Sequence, residues 1–344
     1  MSSQRKLKVG QLGVGGWGNV RRATLRSSGL FDLVACYDIN PEAMAKAQAQ
    51  DGAKPTGSFD ELLSFPGLDA VIISTGAKFH AEQVITACKR GLDVFVEKPL
   101  CSTPEEVRQL LDVQKSTGRV IGMGHANHAM HAVTAKMKAM MDEGSIGKVA
   151  AFEAVTCHSG GLCIKPGDWR GDPLKNPGGM LFQCGVHKFH ELIYFFGPIK
   201  SVYAQLRYDV HTTQTADVAV VVVEFVSGVI GTLTAYHVTP YRHATTIYGT
   251  RSNLYWDGHY ADRPPLHMQS LPPVMDGSFE PLVPVELPTE GMSEHGHLVS
   301  FYNAVTKGGV PYPSVIDGAR AVTAVFAAEE SAKLHRPVEV PQIQ

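Results

Sequence analysis

The chain has 344 residues, which is enough for two domains with separate hydrophobic cores. Hydrophobic residues make up 44% and charged residues 19%, and the formal net charge is -2, so no basic excess points to nucleic acid or to a membrane surface. We expect no signal peptide, and the most apolar run, residues 218–226, is too short to cross a bilayer. Six scattered cysteines without C-x-x-C spacing favour reduced thiols and a cytoplasmic protein.

A short apolar segment, residues 7–12, is followed by a glycine-rich turn, and together they predict a dinucleotide-binding element. Three glycines have the spacing G-x-G-x-x-G. The first allows a tight turn, the second lets a pyrophosphate approach the backbone, and the third lets the next helix pack on the strand. Unpaired N–H groups of that helix would face the phosphates. We therefore predict cofactor contacts at Gly13, Gly15, Gly16, Trp17 and Gly18.

A second apolar run, residues 33–37, ends in Asp38, twenty residues after Gly18. A carboxylate at this position accepts hydrogen bonds from the ribose hydroxyls and repels a 2′-phosphate. The sequence therefore predicts NAD rather than NADP. The alternative is that Asp38 only caps the helix that begins at Pro41.

Strands alternate with helices through the rest of the first domain. Strands are predicted over residues 70–74, 93–97 and 120–123, and helices begin near residues 41, 58, 79 and 103. This rhythm predicts a parallel, doubly wound Rossmann sheet over residues 1–124, whose ligands bind beyond the carboxyl ends of its strands. The predicted cofactor contacts at those ends are Ser74, Thr75, His80, Glu97 and Lys98.

Residues 125–344 predict an α+β domain with a large, mainly antiparallel sheet, covered by a helix on one side. Strands are expected over residues 149–156, 200–207, 218–226 and 229–236, and Ser227–Gly228 is a two-residue hairpin loop. Residues 257–290, rich in proline and glycine, predict an irregular excursion with Trp256 and Tyr260 buried. Two final helices, over residues 294–306 and 314–334, would return the chain toward the first domain.

Histidines 125, 128 and 131 open the predicted helix that continues to Glu143, with a spacing that zinc would accept. No acid or thiolate has ligand spacing with them, so we expect polar pocket residues and no metal. The same applies to Cys157, His158 and Cys163 and to the histidines at 295 and 297.

Residues 178–192 combine an apolar helix with a polar stripe. Gln183, His187 and Glu191 are spaced i, i+4, i+8 and should share a face, with His190 beside them. Buried polar groups need partners, so a structural network is one interpretation and a substrate site is the other.

Two motifs resemble the oxidoreductase family named after glucose–fructose oxidoreductase, inositol dehydrogenase and the rhizopine-catabolism protein. One is residues 75–82 followed by Glu97-Lys98-Pro99-Leu100. The other matches the family pattern G-G-x-x-x-D-x-G-x-H-x-x-D at Gly178, Gly179, Gly185 and His187. Gln183 and His190 stand where the pattern has aspartates. A neutral amide cannot raise a neighbouring pKa as a carboxylate does, but it can bind a sugar hydroxyl.

The resemblance implies a cis Lys98–Pro99 bond and an NAD-dependent oxidoreductase that acts on a ring hydroxyl of a sugar or cyclitol. It implies His187 as the general base and Lys98 as the group that assists at the oxygen. A loop, Asp168-Trp169-Arg170, resembles family positions that line the pocket. Expected substrate contacts are His125, Asn127, Trp169, Arg170 and Gln183.

The family further implies a homodimer or homotetramer formed through the second sheet. Two other functions stay open. One is an NAD-dependent glycoside hydrolase that oxidises its sugar transiently, which the loss of the aspartate at Gln183 allows. The other is an NAD- and sugar-sensing regulator, against which the presence of both Lys98 and His187 argues.

Overall fold

The computed structural model describes residues 5–211, 213–258, 265–274 and 277–344. The chain divides into two compact units. The first comprises residues 1–127 and 295–319, and the second comprises residues 128–294 and 320–344. The predicted division at residue 124 assigned all later residues to the second domain, whereas residues 295–319 group with the first unit.

The first unit contains a parallel sheet with the strand order β3-β2-β1-β4-β5-β6 among the described residues. The central strands are buried on both faces and consist largely of valine, isoleucine and leucine, which suits a sheet covered by helices on both sides. The strands are β1 (Leu7–Leu12), β2 (Phe31–Tyr37), β3 (Lys54–Pro55), β4 (Ala70–Ile73), β5 (Asp93–Val96) and β6 (Ile121–Met123).

The helices of this unit begin where the sequence supplies N-caps. Asn40 caps α2 through its side chain, and Thr103 and Glu106 form both halves of a capping box at α5. The helices that follow the strands of this sheet are α1 (Gly16–Ser28), α2 (Pro41–Asp51), α3 (Phe59–Leu63), α4 (Ala77–Lys89) and α5 (Pro104–Thr117).

The core of the first unit is completed from the C-terminal half of the chain. The Phe301 ring lies 6.4 Å from that of Phe31 and 5.6 Å from that of Phe95, and Tyr302 meets Phe31 edge-on at 6.1 Å. These residues join Leu7, Val9 and Ile72 in one buried cluster. The helix that carries both rings, α8 (Gly296–Lys307), is therefore part of the core of the first unit.

The second unit contains a sheet with the order β14-β13-β12-β11-β7-β10-β9-β8-β15 over the described residues. Neighbours are antiparallel except β10 and β7, which are parallel. The strands are β7 (Val149–Cys157), β8 (Ile199–Arg207), β9 (Val218–Phe225), β10 (Ile230–Tyr236), β11 (Arg242–Gly249), β12 (Ser252–Asp257), β13 (Leu266–Ser270), β14 (Val283–Pro284) and β15 (Val338–Glu339).

One face of this sheet packs on a helix and the other is open. Phe196, at the end of α7, lies 5.1 Å from the Phe152 ring and 5.2 Å from the Phe225 ring, which confirms the predicted helix cover. The remaining helices of the chain are α6 (Ala132–Asp142), α7 (Val186–Phe196), α8 (Gly296–Lys307) and α9 (Val315–Leu334).

Two predicted elements of the second domain are wrong. The helix does not begin at His125 but at Ala132, so the three histidines lie in the connection before it. The excursion over residues 257–290 is not wholly irregular, because β13 pairs with β12 and β14 pairs with β13. Trp256 is buried as expected, while Tyr260 lies outside the described residues. No helix in the described part of the chain is long and apolar enough to span a membrane.

Candidate active site

The glycine turn after β1 forms a tight cradle at the start of α1. Gly13 has a φ of 80°, and a side chain there would meet the carbonyl of Ser74 at 2.8 Å. A Cβ on Gly18 would lie 2.1 Å from the carbonyl oxygen of Gly13. In contrast, a Cβ on Gly15 would meet protein atoms only at ordinary contact distance, and one on Gly16 would meet none within 4 Å. The turn is therefore closed toward the protein and open at its outer glycines, and Trp17 beside them is exposed.

Two polar side chains fix this cradle. Gln11 is fully buried within β1, and its Nε2 donates hydrogen bonds to the carbonyls of Gly13 and Gly18, each at 2.9 Å. Asp38 Oδ2 accepts from the backbone N–H groups of Val14 at 2.8 Å and Gly15 at 3.1 Å. The helix start itself carries no acidic residue and no side-chain cap. The first turn of α1 thus keeps the character of an anion site, because no acidic residue lies within it and no side chain caps it.

The suggestion that Asp38 merely caps α2 is wrong. Asn40 is the N-cap, and its side chain accepts from the Glu42 N–H at 3.0 Å. The carboxylate of Asp38 instead joins the end of β2 to the glycine turn.

The loops after β4 and β5 are joined by one buried imidazole. His80 Nδ1 lies 2.8 Å from the carbonyl oxygen of Pro99, and its Nε2 lies 3.0 Å from that of Thr75. Burial lowers the pKa of His80, and its two backbone hydrogen bonds oppose that shift. His80 therefore lies between the predicted cofactor loops as a bridge. Ser74 and Thr75, in the first of those loops, are both half-buried.

Glu97 is buried in an ion pair. Its Oε1 accepts from Arg21 Nε at 2.6 Å, and Arg21 Nη1 also lies 2.7 Å from His297 Nε2. The Arg21 guanidinium lies 4.9 Å from the centre of the Phe95 ring. Burial and the Arg21 charge lower the pKa of His297 to about 3, so this imidazole is neutral and accepts from Arg21. Glu97 thus anchors β5 to α1.

Lys98 follows directly, half-buried between the buried Glu97 and Pro99. The Lys98–Pro99 peptide bond is cis, as the family resemblance implies. His125 is buried. Asn127 is also buried, and its Nδ2 donates to the carbonyls of Gly296 at 3.2 Å and Tyr312 at 2.9 Å. The amide of Asn127 therefore ties together three segments of the first unit.

In the second unit, residues 178–192 do not form a regular helix throughout. Leu181–Gly185 is a π-helical turn that runs into α7. From residue 178 to residue 192 every side chain is buried except those of Gln183, Cys184 and His187, which are half-buried. Single π-turns inside helices occur often at functional sites. The predicted pair, Gln183 and His187, accordingly belongs to the few side chains of this segment that remain partly exposed.

Glu191, predicted on the same face, lies elsewhere. It is 2% exposed, and its carboxylate accepts from Lys188 Nζ at 3.0 and 3.3 Å and from the Thr245 hydroxyl at 2.5 Å. Lys188 is fully buried, also donates to Thr245 Oγ1 at 2.7 Å, and lies 4.4 Å from the centre of the Trp256 ring. Burial lowers the pKa of Lys188, and Glu191 opposes the shift. For Glu191 the structural-network interpretation is therefore correct.

His190 is also buried, with its ring 4.9 Å from that of His128. The loop residue Trp169 is 37% exposed, and the Arg170 guanidinium lies 4.7 Å from the centre of its ring. Arg170 therefore covers one face of the indole and leaves the other side accessible. Among the described residues, no group of three or more histidine, cysteine or acidic side chains is arranged to hold a metal ion.

Sequence reasoning missed the residues that support the site. Gln11 and Lys188 each interrupt an apolar element, and that irregularity is the signal that could have found them. Thr245, the partner of Lys188, lies 57 residues away in the chain, so no local pattern connects the two.

Two family models match the chain. Residues 7–125 match the oxidoreductase family with an NAD-binding Rossmann fold, and residues 134–255 match the GFO/IDH/MocA C-terminal domain. The chain belongs to this family. The first unit is therefore the NAD-binding Rossmann domain of a Gfo/Idh/MocA oxidoreductase.

Curated relatives in this family include two inositol dehydrogenases. The chain is 28% identical over 261 residues to scyllo-inositol 2-dehydrogenase (NAD(+)) of Bacillus subtilis, a match that covers 73% of this chain and 74% of the relative. It is 23% identical over 259 residues to myo-inositol 2-dehydrogenase of Thermotoga maritima, covering 73% and 75%.

Solved structures of the same fold cover almost the whole chain. An oxidoreductase of Desulfitobacterium hafniense, described as NADPH-dependent, is 25% identical with a TM-score of 0.89 and covers 98% of both chains. Levoglucosan dehydrogenase in complex with NADH is 23% identical with a TM-score of 0.86, covering 98% of this chain and all of that one (100%). The second similarity concerns the fold alone.

Proposed function

We propose that this family member is an NAD-dependent dehydrogenase that interconverts a ring hydroxyl and a ketone on a sugar, sugar derivative or cyclitol. The single observation that carries the proposal is that Gln183 and His187 are half-buried in residues 178–192, where every other side chain except that of Cys184 is buried. The family resemblance implies His187 as the general base. The inositol dehydrogenases among the relatives support the substrate class.

The residues of the first unit fit an adenine dinucleotide. The outer glycines, Gly15 and Gly16, leave room for a diphosphate beside the uncapped start of α1. The Asp38 carboxylate lies at the end of β2, where its charge favours ribose hydroxyls over a 2′-phosphate, so we propose NAD as the cofactor. Glycine and aspartate would hold the cofactor, and Ser74, Thr75 and Lys98 lie at the carboxyl ends of the next strands.

The bound nicotinamide would supply the hydride acceptor. His187 would accept the proton of the reacting hydroxyl, and Lys98, as an ammonium, would donate a hydrogen bond to the oxygen while it becomes a carbonyl. Such base assistance contributes roughly 10²- to 10⁴-fold, and the rest of the acceleration comes from orientation. Gln183 would bind a neighbouring hydroxyl through its amide, with Trp169 and Arg170 contributing an apolar ring face and hydrogen-bond donors.

The test is a screen of inositols, monosaccharides, anhydrosugars and glycosides with NAD and NADP, followed by variants of the two catalytic positions. With the best substrate, Lys98→Ala and His187→Ala should each lower kcat by roughly 10²-fold or more. NAD affinity, measured by calorimetry, should change little. Lys89→Ala, at the exposed end of α4, is the matched control. Wild-type turnover in both catalytic variants would contradict the assignment.

The same screen separates the two alternatives. Release of free sugar from a glycoside without net NADH would indicate the transient-oxidation glycosidase, for which Gln183 in place of aspartate leaves room. Tight NAD and sugar binding without turnover of any substrate would indicate a sensor.

We also propose that the protein is a homodimer or homotetramer through the second sheet. Val220, Val222 and Ile230 on its open face are 41%, 46% and 53% exposed, on neighbouring strands. Contiguous exposed apolar surface of this kind is typical of an interface. Light scattering of wild-type protein and of Val220→Glu/Val222→Glu should show a multimer and a monomer, respectively. A monomeric wild-type protein would refute this proposal.

A further inference from the structure

The π-turn that contains Gln183 also carries a thiol, that of Cys184. Cys184 is half-buried, and its Sγ lies 3.2 Å from Nε2 of His158. His158 follows β7 and caps the short 3-10 helix Ser159–Cys163. Neither residue has a role in the proposed dehydrogenase reaction.

The geometry fixes which ring nitrogen of His158 carries the proton. The Gly160 N–H donates to Nδ1 at 2.9 Å, so Nδ1 is the acceptor. The neutral ring therefore carries its hydrogen on Nε2, where it is directed at the sulfur of Cys184. A hydrogen bond donated to the charged form of an acid favours that form, so His158 favours the thiolate.

Two titratable neighbours of the pair are neutral at neutral pH. His237, from the loop after β10, meets the His158 ring edge-on at 4.8 Å, and burial lowers its pKa to about 4. Burial, followed by the charges of Cys184, Asp257 and Cys157, raises the pKa of Tyr241, so it is a neutral phenol, and the Asp257 carboxylate is the acidic side chain among these neighbours. Three deeply buried cysteines differ: burial raises the pKa of Cys36 to about 11, of Cys88 to about 12, and of Cys101 further still. Only the thiolate is a good nucleophile, so these buried thiols are poorly reactive.

We propose that Cys184, with His158 as its hydrogen-bond donor, is an oxidative modification site that reacts with small hydroperoxides. The thiolate sulfur attacks one oxygen of hydrogen peroxide. An S–O bond forms and the O–O bond breaks, so that sulfur is oxidised to a sulfenic acid and the peroxide is reduced. The departing hydroxide takes the proton that the thiol released and leaves as water.

The consequence for activity rests on the proposed function. Cys184 adjoins Gln183 and lies in the π-turn that runs into the helix of His187, so the added oxygen should disturb substrate binding there. Two molecules of a small thiol reductant are oxidised to their disulfide, the oxygen leaves as water and the cysteine thiol is restored, which makes the block reversible.

The chain offers a matched internal control, because Cys163 is exposed and in the neighbouring 3-10 helix. The protein is treated with hydrogen peroxide at pH 7, and sulfenic acids are trapped with dimedone and quantified by peptide mass spectrometry. A one-unit fall in a thiol pKa increases thiolate about tenfold and reduces its nucleophilicity about threefold, so a donor effect of that size makes Cys184 react about threefold faster than Cys163.

Two substitutions of His158 separate its roles. His158→Asn retains an acceptor for the Gly160 N–H and loses the donor to sulfur, so oxidation of Cys184 should slow to about the rate of Cys163. His158→Gln carries an amide donor near the Nε2 position and should retain most of the rate. Equal rates for Cys184 and Cys163, or equal effects of the two substitutions, would overturn the proposal.

Activity provides the second readout. Peroxide should inactivate the wild-type enzyme reversibly, and whatever activity Cys184→Ala has should resist peroxide. Selective oxidation with no loss of turnover would overturn the blocking of the site. Selective oxidation of a protein that turns over no sugar or cyclitol would refute the proposed dehydrogenase and support the modification site.

Discussion

Removal of the buried ammonium of Lys188 should destabilise the second unit strongly. Lys188→Met leaves the Glu191 carboxylate buried, with the Thr245 hydroxyl as its remaining hydrogen-bond partner from this network. Three short contacts of Nζ, to both oxygens of Glu191 and to Thr245, disappear, as does the contact with the Trp256 ring at 4.4 Å.

The expected cost is about 3–5 kcal/mol, because breaking one side of a buried pair leaves an uncompensated charge. Removing both charges is nearly neutral in such cases. The double variant Lys188→Met/Glu191→Gln should therefore recover most of the loss, since the amide oxygen of the introduced glutamine could still accept from Thr245.

The assay is urea unfolding followed by Trp256 fluorescence in a background of Trp17→Phe/Trp169→Phe, so that the signal reports the second unit. With an m-value of about 2 kcal/mol/M, the single variant should shift the midpoint by about 2 M. Lys333→Met, which removes an exposed ammonium 4.0 Å from the Glu329 carboxylate, is the control and should give no resolvable shift. The reasoning fails if Lys188→Met behaves like this control, or if the double variant is as unstable as the single one.

Three further predictions concern the first unit. Because the pKa of His297 is lowered to about 3 in the folded protein, the unfolded state binds the extra proton below about pH 6.5, and stability should fall as pH decreases. Between pH 6.5 and 5 the protonation of this imidazole in the unfolded state should lower the free energy of unfolding by about 2 kcal/mol. Urea titrations at several pH values should show that His297→Gln removes this part of the pH dependence of stability. An unchanged pH dependence would refute the prediction. Gly15→Ala should weaken NAD binding with little change in the unfolding midpoint. Gly18→Ala should lower both the NAD affinity and the unfolding midpoint, because its Cβ would lie 2.1 Å from a carbonyl oxygen. Equal stability of the two variants would contradict the proposed glycine cradle. His80→Asn keeps a donor for the Pro99 carbonyl, so it should retain more turnover than His80→Leu when the two variants are similarly stable. The measurement is kcat and KM of both variants. Identical kinetics would exclude a bridging role for His80.

The Rossmann domain could be predicted from the sequence nearly element by element. Its buried parallel strands are short apolar runs, and its helices carry local caps such as Asn40 and Thr103. Both signals come from residues close together in the chain, so the sequence alone is enough to predict these elements. The second domain could be predicted less completely from the sequence. The excursion after residue 257 becomes edge strands only because β12 offers unpaired backbone groups, and that information lies in another segment of the chain.

The site shows the same limit. The i, i+4, i+8 spacing predicted one shared face for Gln183, His187 and Glu191, because that prediction assumed a regular helix. The π-turn over Leu181–Gly185 and the buried partner Lys188 break that assumption. Helical periodicity predicts which residues share a face of the helix. It does not predict which of those residues are buried by a partner from a strand that is distant in the sequence.

The first unit's dependence on Phe301 and Tyr302 has a consequence for how the protein is made. These rings complete the cluster around Phe31 and Phe95, yet they are synthesised after the whole of β7–β14. A truncated chain that ends at residue 127 would expose an unfilled aromatic cleft and should aggregate unless a peptide covering residues 295–319 is supplied in trans. On the ribosome, likewise, the nucleotide-binding half should reach its final stability only after most of the polypeptide has emerged.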